Sequence, residues 1–108
     1  MFPPTRDRAP RPQHSAVLRR ARKALGWSQL MLVVKLEDAY RKYGQHPPTR
    51  DSLKVYVSRW ENGHLEPSEF NRRLLCEVLG LNLVQLGLPI DPDYPWPPPW
   101  LAPASGGH

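Results

Sequence analysis

Four glycines divide the middle of this 108-residue chain into short segments, and their placement limits the fold more than any other feature. Gly26, Gly44, Gly63 and Gly80 each follow a stretch in which apolar residues recur about every 3.6 positions. Glycine readily adopts the left-handed conformation that ends an α-helix, so each is expected to close one helix. No stretch alternates apolar and polar residues as a half-buried strand does. The sequence therefore predicts an all-α fold.

Polar residues stand where the predicted helices begin. Ser15, Ser28, Ser68 and Asn82 are each expected to accept a hydrogen bond from a backbone N–H of the first turn. The chain has the length of one domain, so the helices should share one modest core. We predict a compact bundle of five short helices over residues 14–88. On the first helix, the residues expected to face inward are Ala16, Val17, Ala21, Ala24 and Leu25.

The second helix carries its apolar stripe as far as Tyr43. Pro47 and Pro48 then enforce a stiff loop, because neither can continue a helix. The third helix is expected to begin near Asp51 or Ser52. The core is predicted to include Leu32, Leu36, Leu53, Val57, Trp60 and Leu75.

Positive charge is concentrated in the first part of the chain. Residues 1–60 hold 13 of the 15 Lys and Arg residues but only four of the ten Asp and Glu residues, whereas residues 61–108 are mildly acidic. This asymmetry favours a polyanionic partner. The excess of arginine over lysine suits phosphate and guanine recognition, and it is equally typical of a GC-rich genome.

Composition argues against several other classes of protein. One cysteine, Cys76, excludes an internal disulfide, and we expect it to be a small buried hydrophobe in a reducing compartment. The longest dense apolar run, residues 30–34, is too short for a membrane span, and no signal peptide is evident, so we expect a cytoplasmic protein. The four histidines lack metal-ligand spacing, and no catalytic triad or phosphate-binding loop occurs. We expect no enzyme activity, no metal and no cofactor.

Both ends of the chain are rich in proline. Residues 1–13 also carry arginine and lack periodicity, which predicts a flexible basic arm. Residues 89–108 hold seven prolines and are expected to form a polyproline-like tail that displays Trp96 and Trp100. These tryptophans are expected to pack on the domain, on a twin subunit or on a protein partner, unless the tail is disordered.

The stretches ARKALGWSQLMLVVKL, VSRWENGHLEP and LLCEVLGLNLVQL follow one another within residues 15–88. Together they resemble the Cro/cI-type helix-turn-helix family, also called XRE. The resemblance implies that the second helix crosses the DNA backbone and that the third helix enters the major groove. This chain departs from the family by an insertion, about residues 38–51, where the family turns within a few residues. Val33 also stands where the family usually has a smaller residue.

The insertion continues the amphipathic stripe of the second helix. Tyr40 and Tyr43 are expected to pack against the third helix, and Arg41 and Lys42 to face solvent or DNA phosphates.

The third helix has two contrasting sides at 100° per residue. Leu53, Val57 and Trp60 share the inward side. The opposite side combines short polar groups, one small apolar residue and two cations, which suits contact with base edges because Arg pairs with guanine and Val touches the thymine methyl group. An ordinary solvated helix surface is the alternative. The residues predicted to read bases are Lys54, Val55, Ser58 and Arg59.

The resemblance implies roles for further residues. Gln29, in the first turn of the second helix, is expected to contact a DNA phosphate, helped by the positive end of the helix; a simple helix-start residue is the alternative. Arg50 and Asn62 are expected to contact the DNA backbone beside the third helix. Arg22 and Glu61 occupy positions that pair in family members, so we expect a partly buried structural ion pair.

Two functions follow from these features. The first is a sequence-specific regulator of transcription that binds double-stranded DNA, with a homodimer on a pseudo-palindromic site. The alternative is a protein-interaction module that retains the helix-turn-helix fold, as an antitoxin or a partner of another transcription factor would.

Overall fold

A computed structural model describes residues 13–89 and 91–97. These residues form five helices and no strand, which confirms the predicted all-α fold. The predicted N-terminal arm, apart from residue 13, lies outside the described residues, as does Trp100. Among the described helices, none is both long and apolar enough to cross a bilayer. The helices are α1 (Gln13–Ala24), α2 (Gln29–Lys42), α3 (Arg50–Glu61), α4 (Glu69–Leu79) and α5 (Leu83–Leu86).

Hydrogen bonds to cap side chains mark most helix starts. In α2, α4 and α5 the predicted cap accepts a hydrogen bond from the backbone N–H three residues further along. In α3 the cap is Thr49 rather than Asp51 or Ser52, because the Thr49 hydroxyl accepts the Ser52 N–H at 3.2 Å. Gly80 closes α4 with a φ of 73°, a left-handed conformation that costs glycine little.

The start and the buried side of α1 differ from the prediction. The helix begins at Gln13, and Ser15 is buried inside its first turn rather than serving as its cap. Leu18, with 1% of its surface exposed, is the apolar residue that α1 contributes to the core. The physical reason is the ion pair between Arg22 and Glu61, which turns the side of α1 that carries positions 15, 18 and 22 toward α3. The residues that were expected to face inward and are exposed are Ala16, Ala24 and Leu25.

The core lies mainly between α2, α3 and α4. The six residues predicted to form it are each 2% exposed or less. Burying one aliphatic side chain of this kind contributes about 1.5–3 kcal/mol, so the short helices are stabilised by packing on one another. The six are Leu32, Leu36, Leu53, Val57, Trp60 and Leu75.

The end of α2, whose tyrosines were expected to pack against α3, packs against α4 and the tail. Tyr40 also lines a groove together with Tyr56 and Trp60 of α3. The Tyr40 ring lies 5.3 Å from the Phe70 ring, and the Tyr40 hydroxyl donates to Asn71 Oδ1 at 2.6 Å. The Tyr43 hydroxyl donates to the Glu77 carboxylate. Seven residues, 43–49, separate α2 from α3. Residues 38–42, the first part of the stretch predicted as an insertion, extend α2 by a little more than one turn beside α4 before the chain reverses.

The described part of the tail folds back along α4. Arg72 donates to the Pro89 carbonyl at 2.9 Å, and the Arg73 guanidinium lies 5.3 Å from the Tyr94 ring. The Trp96 ring lies 4.7 Å from the Tyr43 ring and 5.6 Å from the Phe70 ring. Of the surfaces considered for Trp96, the domain itself is therefore the one that it contacts.

Candidate nucleic-acid interface

The outward side of α3 carries the four residues predicted to read bases. Lys54, Val55 and Arg59 are exposed, with 46% of the Val55 surface accessible, and Ser58 is half-buried. They lie opposite Leu53, Val57 and Trp60, whose burial holds the helix against the core. The outward side therefore combines two cations, a small apolar group and a hydroxyl on a helix that packing keeps in place.

Neither cation of this surface is neutralised by a carboxylate. Among residues 13–89, five Lys and Arg side chains have no ion-pair partner, and all five lie on α1, α2 or α3. In contrast, both cations of α4 pair with glutamates. Within residues 13–89, the uncompensated positive charge is thus confined to the first three helices. The five side chains are Arg20, Lys23, Lys35, Lys54 and Arg59.

A buried ion pair fixes the end of α3 against α1. Arg22 Nε lies 2.6 Å from Glu61 Oε2, and Arg22 Nη2 donates to Glu61 Oε1 at 2.9 Å. The same guanidinium donates to the Trp27 carbonyl at 2.7 Å, so the pair also holds the α1–α2 turn. Glu61 has a fully buried side chain and Arg22 has one that is 10% exposed. The expected structural pair is therefore present, and it is almost completely buried.

The ionised form of Glu61 is favoured in spite of its burial. Burial by itself raises the pKa of Glu61, but hydrogen bonds from Arg22 and Gln29 and the nearby guanidinium charges outweigh it, so the pKa lies below its usual value. The same pair raises the pKa of Arg22. The carboxylate therefore serves as a buried anion that several donors share.

The three residues predicted to contact the DNA backbone all have partners within the chain. Gln29 Nε2 donates to Glu61 Oε1 at 3.0 Å, which connects the start of α2 to the end of α3. Asn62 accepts from Arg19 Nη2 at 2.9 Å and donates to the Ser58 carbonyl at 2.8 Å. Their phosphate contacts stay predictions.

Arg50 is held by a carboxylate that sequence reasoning overlooked. Its Nε and Nη2 donate to the two oxygens of Glu37 at 3.1 and 2.8 Å, and these hydrogen bonds lower the pKa of Glu37. The Glu37 side chain is only 9% exposed, whereas that of Arg50 is 54% exposed. Glu37 follows the buried Val33 by one helical turn, and this position on the inner side of α2 was the signal available in the sequence.

Arg19 is a second residue that the sequence reasoning missed. One turn before Arg22, it donates to the Glu61 carbonyl at 3.1 Å as well as to Asn62. It therefore satisfies a carbonyl of the last turn of α3, which no helical N–H can reach.

Cys76 and the possible metal-ligating residues are the remaining titratable groups considered within residues 13–89 and 91–97. Cys76 is buried, and burial raises the pKa of its thiol, which makes it the inert hydrophobe that was expected. No group of three or more His, Cys, Asp or Glu residues within this part of the chain is arranged to hold a metal ion.

An open groove lies beside α3, on the side away from α1. Its volume is about 350 Å³, and its exposed apolar walls come from Tyr56 and Leu65, which are 37% and 40% exposed. Polar groups line it as well, among them Glu66 and Asn71. The groove has the apolar and polar walls that a protein segment would need.

Comparisons of this chain with protein-family models, with curated proteins and with solved structures found no significant match. The functional proposal therefore depends on the geometry above and on the resemblance carried by the three motifs.

Proposed function

We propose that this chain binds double-stranded DNA in a sequence-specific manner and regulates transcription, with α3 in the major groove. The observation that carries the proposal is the outward side of α3, where Lys54 and Arg59 are exposed and unpaired around Val55. A major groove about 12 Å wide admits one α-helix, and its base edges offer acceptors to cations and methyl groups to small apolar residues. The exposed cations and the small apolar residue of α3 therefore match the groups that the major groove presents.

Each side chain has a definite part in this proposal. Arg59 and Lys54 donate to the O6 and N7 atoms of guanine, Val55 contacts a thymine methyl group, and Ser58 bonds to either kind of base edge. Gln29 and Asn62 contact phosphates. These phosphate contacts set the position of the helix and carry no base information.

The confinement of unpaired cations to α1, α2 and α3 supports the same proposal. A protein surface that neutralises phosphates releases counterions from DNA, and the free energy of that release needs cations that are not already paired within the protein. A homodimer that places two copies of α3 one helical turn of DNA apart completes the proposal, so the site is expected to be pseudo-palindromic.

A protein-interaction module is the second candidate, and the groove beside α3 is the observation in its favour. Tyr56 and Leu65 would receive an apolar side chain of the partner. Trp96 does not support this candidate, because its side chain packs on the domain itself.

Selection of bound duplexes from a random pool tests the proposal directly. We expect enrichment of one sequence with two related half-sites. If the selection enriches no sequence, the DNA proposal is overturned and the protein-interaction module takes its place.

Two variants then separate base contacts from phosphate contacts. Arg59→Ala should cost about 1–3 kcal/mol on the selected duplex and relax the preference at one base pair. Gln29→Ala should weaken binding to selected and scrambled duplexes alike. Both are titrated at two salt concentrations, and Arg41→Ala, which removes an equal charge from α2, serves as the matched control. An equal loss on both duplexes for Arg59→Ala would show that α3 reads bases with another set of residues.

A further inference from the structure

Asp51, in the first turn of α3, is an exposed carboxylate without an ion-pair partner. It is alone in this respect within residues 13–89, where every other Asp or Glu has a cation within 4 Å. Lys54 lies three residues further along, a spacing at which helical residues often pair, but the two do not. The paired carboxylates are Glu37, Asp38, Glu61, Glu66, Glu69 and Glu77.

Asp51 belongs to the outward side of α3. It precedes Lys54, Val55 and Ser58 by three, four and seven residues, which are the separations that place helical residues on one face. It lies one turn nearer the start of the helix than Lys54. In recognition helices the N-terminal residues contact base edges, so this position is at the reading end of α3.

A carboxylate at this position opposes DNA binding unless the DNA provides a hydrogen-bond donor for it. The phosphates of both strands repel it, and removal of its water shell costs free energy that no cation of this chain offsets. The major groove offers a suitable donor, because the N4 amino group of cytosine pairs with Asp and Glu side chains. An acceptor on the same side of α3 as two cationic guanine readers therefore matches a site that contains both bases of a G·C-rich sequence.

We infer that Asp51 is a specificity-determining residue that accepts a hydrogen bond from the N4 amino group of a cytosine in the DNA site. This inference rests on the proposed function and adds the identity of a base. One helical turn of α3 advances about 5.4 Å, and successive base pairs are about 3.4 Å apart. The cytosine contacted by Asp51 therefore lies one or two base pairs from the base contacted by Lys54.

A purely structural role for Asp51 makes a different prediction. A negative charge in the first turn of a helix is favoured by the helix dipole, and this effect does not depend on the DNA sequence. Removing the charge would then strengthen binding to every duplex, because less repulsion of phosphate remains. A base contact instead makes the preferred and scrambled duplexes respond in opposite directions.

The test uses Asp51→Asn with the full-length chain and the duplexes from the selection. We expect the affinity for the selected duplex to fall about fivefold to about a hundredfold, and the affinity for a scrambled duplex to rise. A repeated selection should replace the cytosine by adenine, whose N6 and N7 atoms pair with Asn. Asp38→Asn is the matched control, since it removes an equal charge from a side chain of α2 that is 72% exposed. It should change the affinity for both duplexes by the same factor.

Asp51→Glu keeps the charge in the first turn and moves the carboxylate by one methylene group. We expect this variant to unfold in urea as the natural chain does but to discriminate cytosine from the other bases less well. Tighter binding of Asp51→Asn to both duplexes, or wild-type affinity and preference in Asp51→Glu, would overturn the inference and leave the DNA proposal standing. A selection that enriches no duplex overturns the DNA proposal itself, and the inference with it.

Discussion

Glu61 is contacted from two other helices through its side chain and its backbone. Its carboxylate receives hydrogen bonds from Arg22 and Gln29, and its backbone carbonyl receives one from Arg19. Three helices therefore meet at one buried anion. Removal of the carboxylate leaves the Arg22 guanidinium, whose side chain is 10% exposed, without its charged acceptor.

Glu61→Ala should lower the free energy of unfolding by about 3–5 kcal/mol, because Arg22 is then a buried charge without its partner. Urea unfolding followed by circular dichroism measures this change. Glu66→Ala is the control, since its side chain is 60% exposed in its pair with Arg72, and such a pair contributes about 0–1 kcal/mol. Equal unfolding midpoints for Glu61→Ala and the natural chain would contradict a structural role for the pair.

Acid should destabilise the fold because it protonates carboxylates that, like that of Glu61, are hydrogen-bonded in the folded chain. The pKa values of Glu37, Glu61 and Glu77 all lie below their usual value, so the folded chain binds fewer protons than the unfolded chain at mildly acidic pH. The stability that they contribute is present above about pH 4.3, the ordinary pKa of glutamate, and is lost as the pH falls through the folded-state values.

Urea titrations at a series of pH values between about 6 and 3 test this expectation. The natural chain should lose stability across the lower half of that range. Glu61→Gln should be less stable at neutral pH and should lose less with acid, since one of the titrating groups is gone. Parallel curves for the two proteins would show that Glu61 does not contribute to the acid sensitivity.

At the scale of helices, the last residues of α2 and the residue that follows it, Tyr43, are part of the core. Ala39, Tyr40 and Tyr43 are each less than 9% exposed, and both tyrosine hydroxyls are bonded to α4. Burial raises the pKa of Tyr40, which is consistent with a neutral donor to Asn71. These residues thus join the end of α2 to α4.

Tyr40→Phe should cost about 0.5–1.5 kcal/mol, because the ring contacts are kept and only the hydrogen bond to Asn71 is lost. The midpoint of urea unfolding measures it. Tyr56→Phe is the control, since the Tyr56 ring stacks on Trp60 and its hydroxyl makes no hydrogen bond among the described residues. A loss of similar size in both variants would mean that the Tyr40 hydroxyl has no specific role.

For the whole molecule, the tail extends the fold beyond the five helices. The Trp96 ring contacts the rings of Phe70 and Tyr43, and the Phe70 ring in turn contacts that of Tyr40.

Trp96→Ala should lower the free energy of unfolding by about 1–3 kcal/mol, since part of a large apolar surface returns to water. Asp93→Ala, at an exposed position of the same segment, should change it by less than about 0.5 kcal/mol.

Light scattering on Trp96→Ala and on the natural chain shows whether this segment also affects assembly. We expect the same mass for both proteins, because Trp96 packs within its own subunit. A lower mass for the variant would show that the tail takes part in the dimer.

Helix boundaries and the two sides of α3 could be predicted from the sequence because their causes are local. A cap such as Ser28 accepts a hydrogen bond from an N–H three residues away. Gly80 adopts the left-handed conformation readily because it has no side chain. The burial of Leu53 and Val57 follows from a period that any helix imposes. α1 is the exception, since most of its apolar residues are alanines and a distant ion pair set its orientation.

Contacts between distant residues needed the tertiary structure. The pairing of Arg50 with Glu37, of Gln29 with Glu61 and of Tyr40 with Asn71 joins residues 13, 32 and 31 positions apart. The position of Glu37 on the inner side of α2 marks it as buried. Nothing in the local sequence says which group each of these residues pairs with, because a hydrogen bond depends on where helix packing places its two atoms. The sequence alone therefore determined which helices form and which side of α3 faces outward, whereas packing decided which polar side chains are engaged and which, like Asp51, remain free.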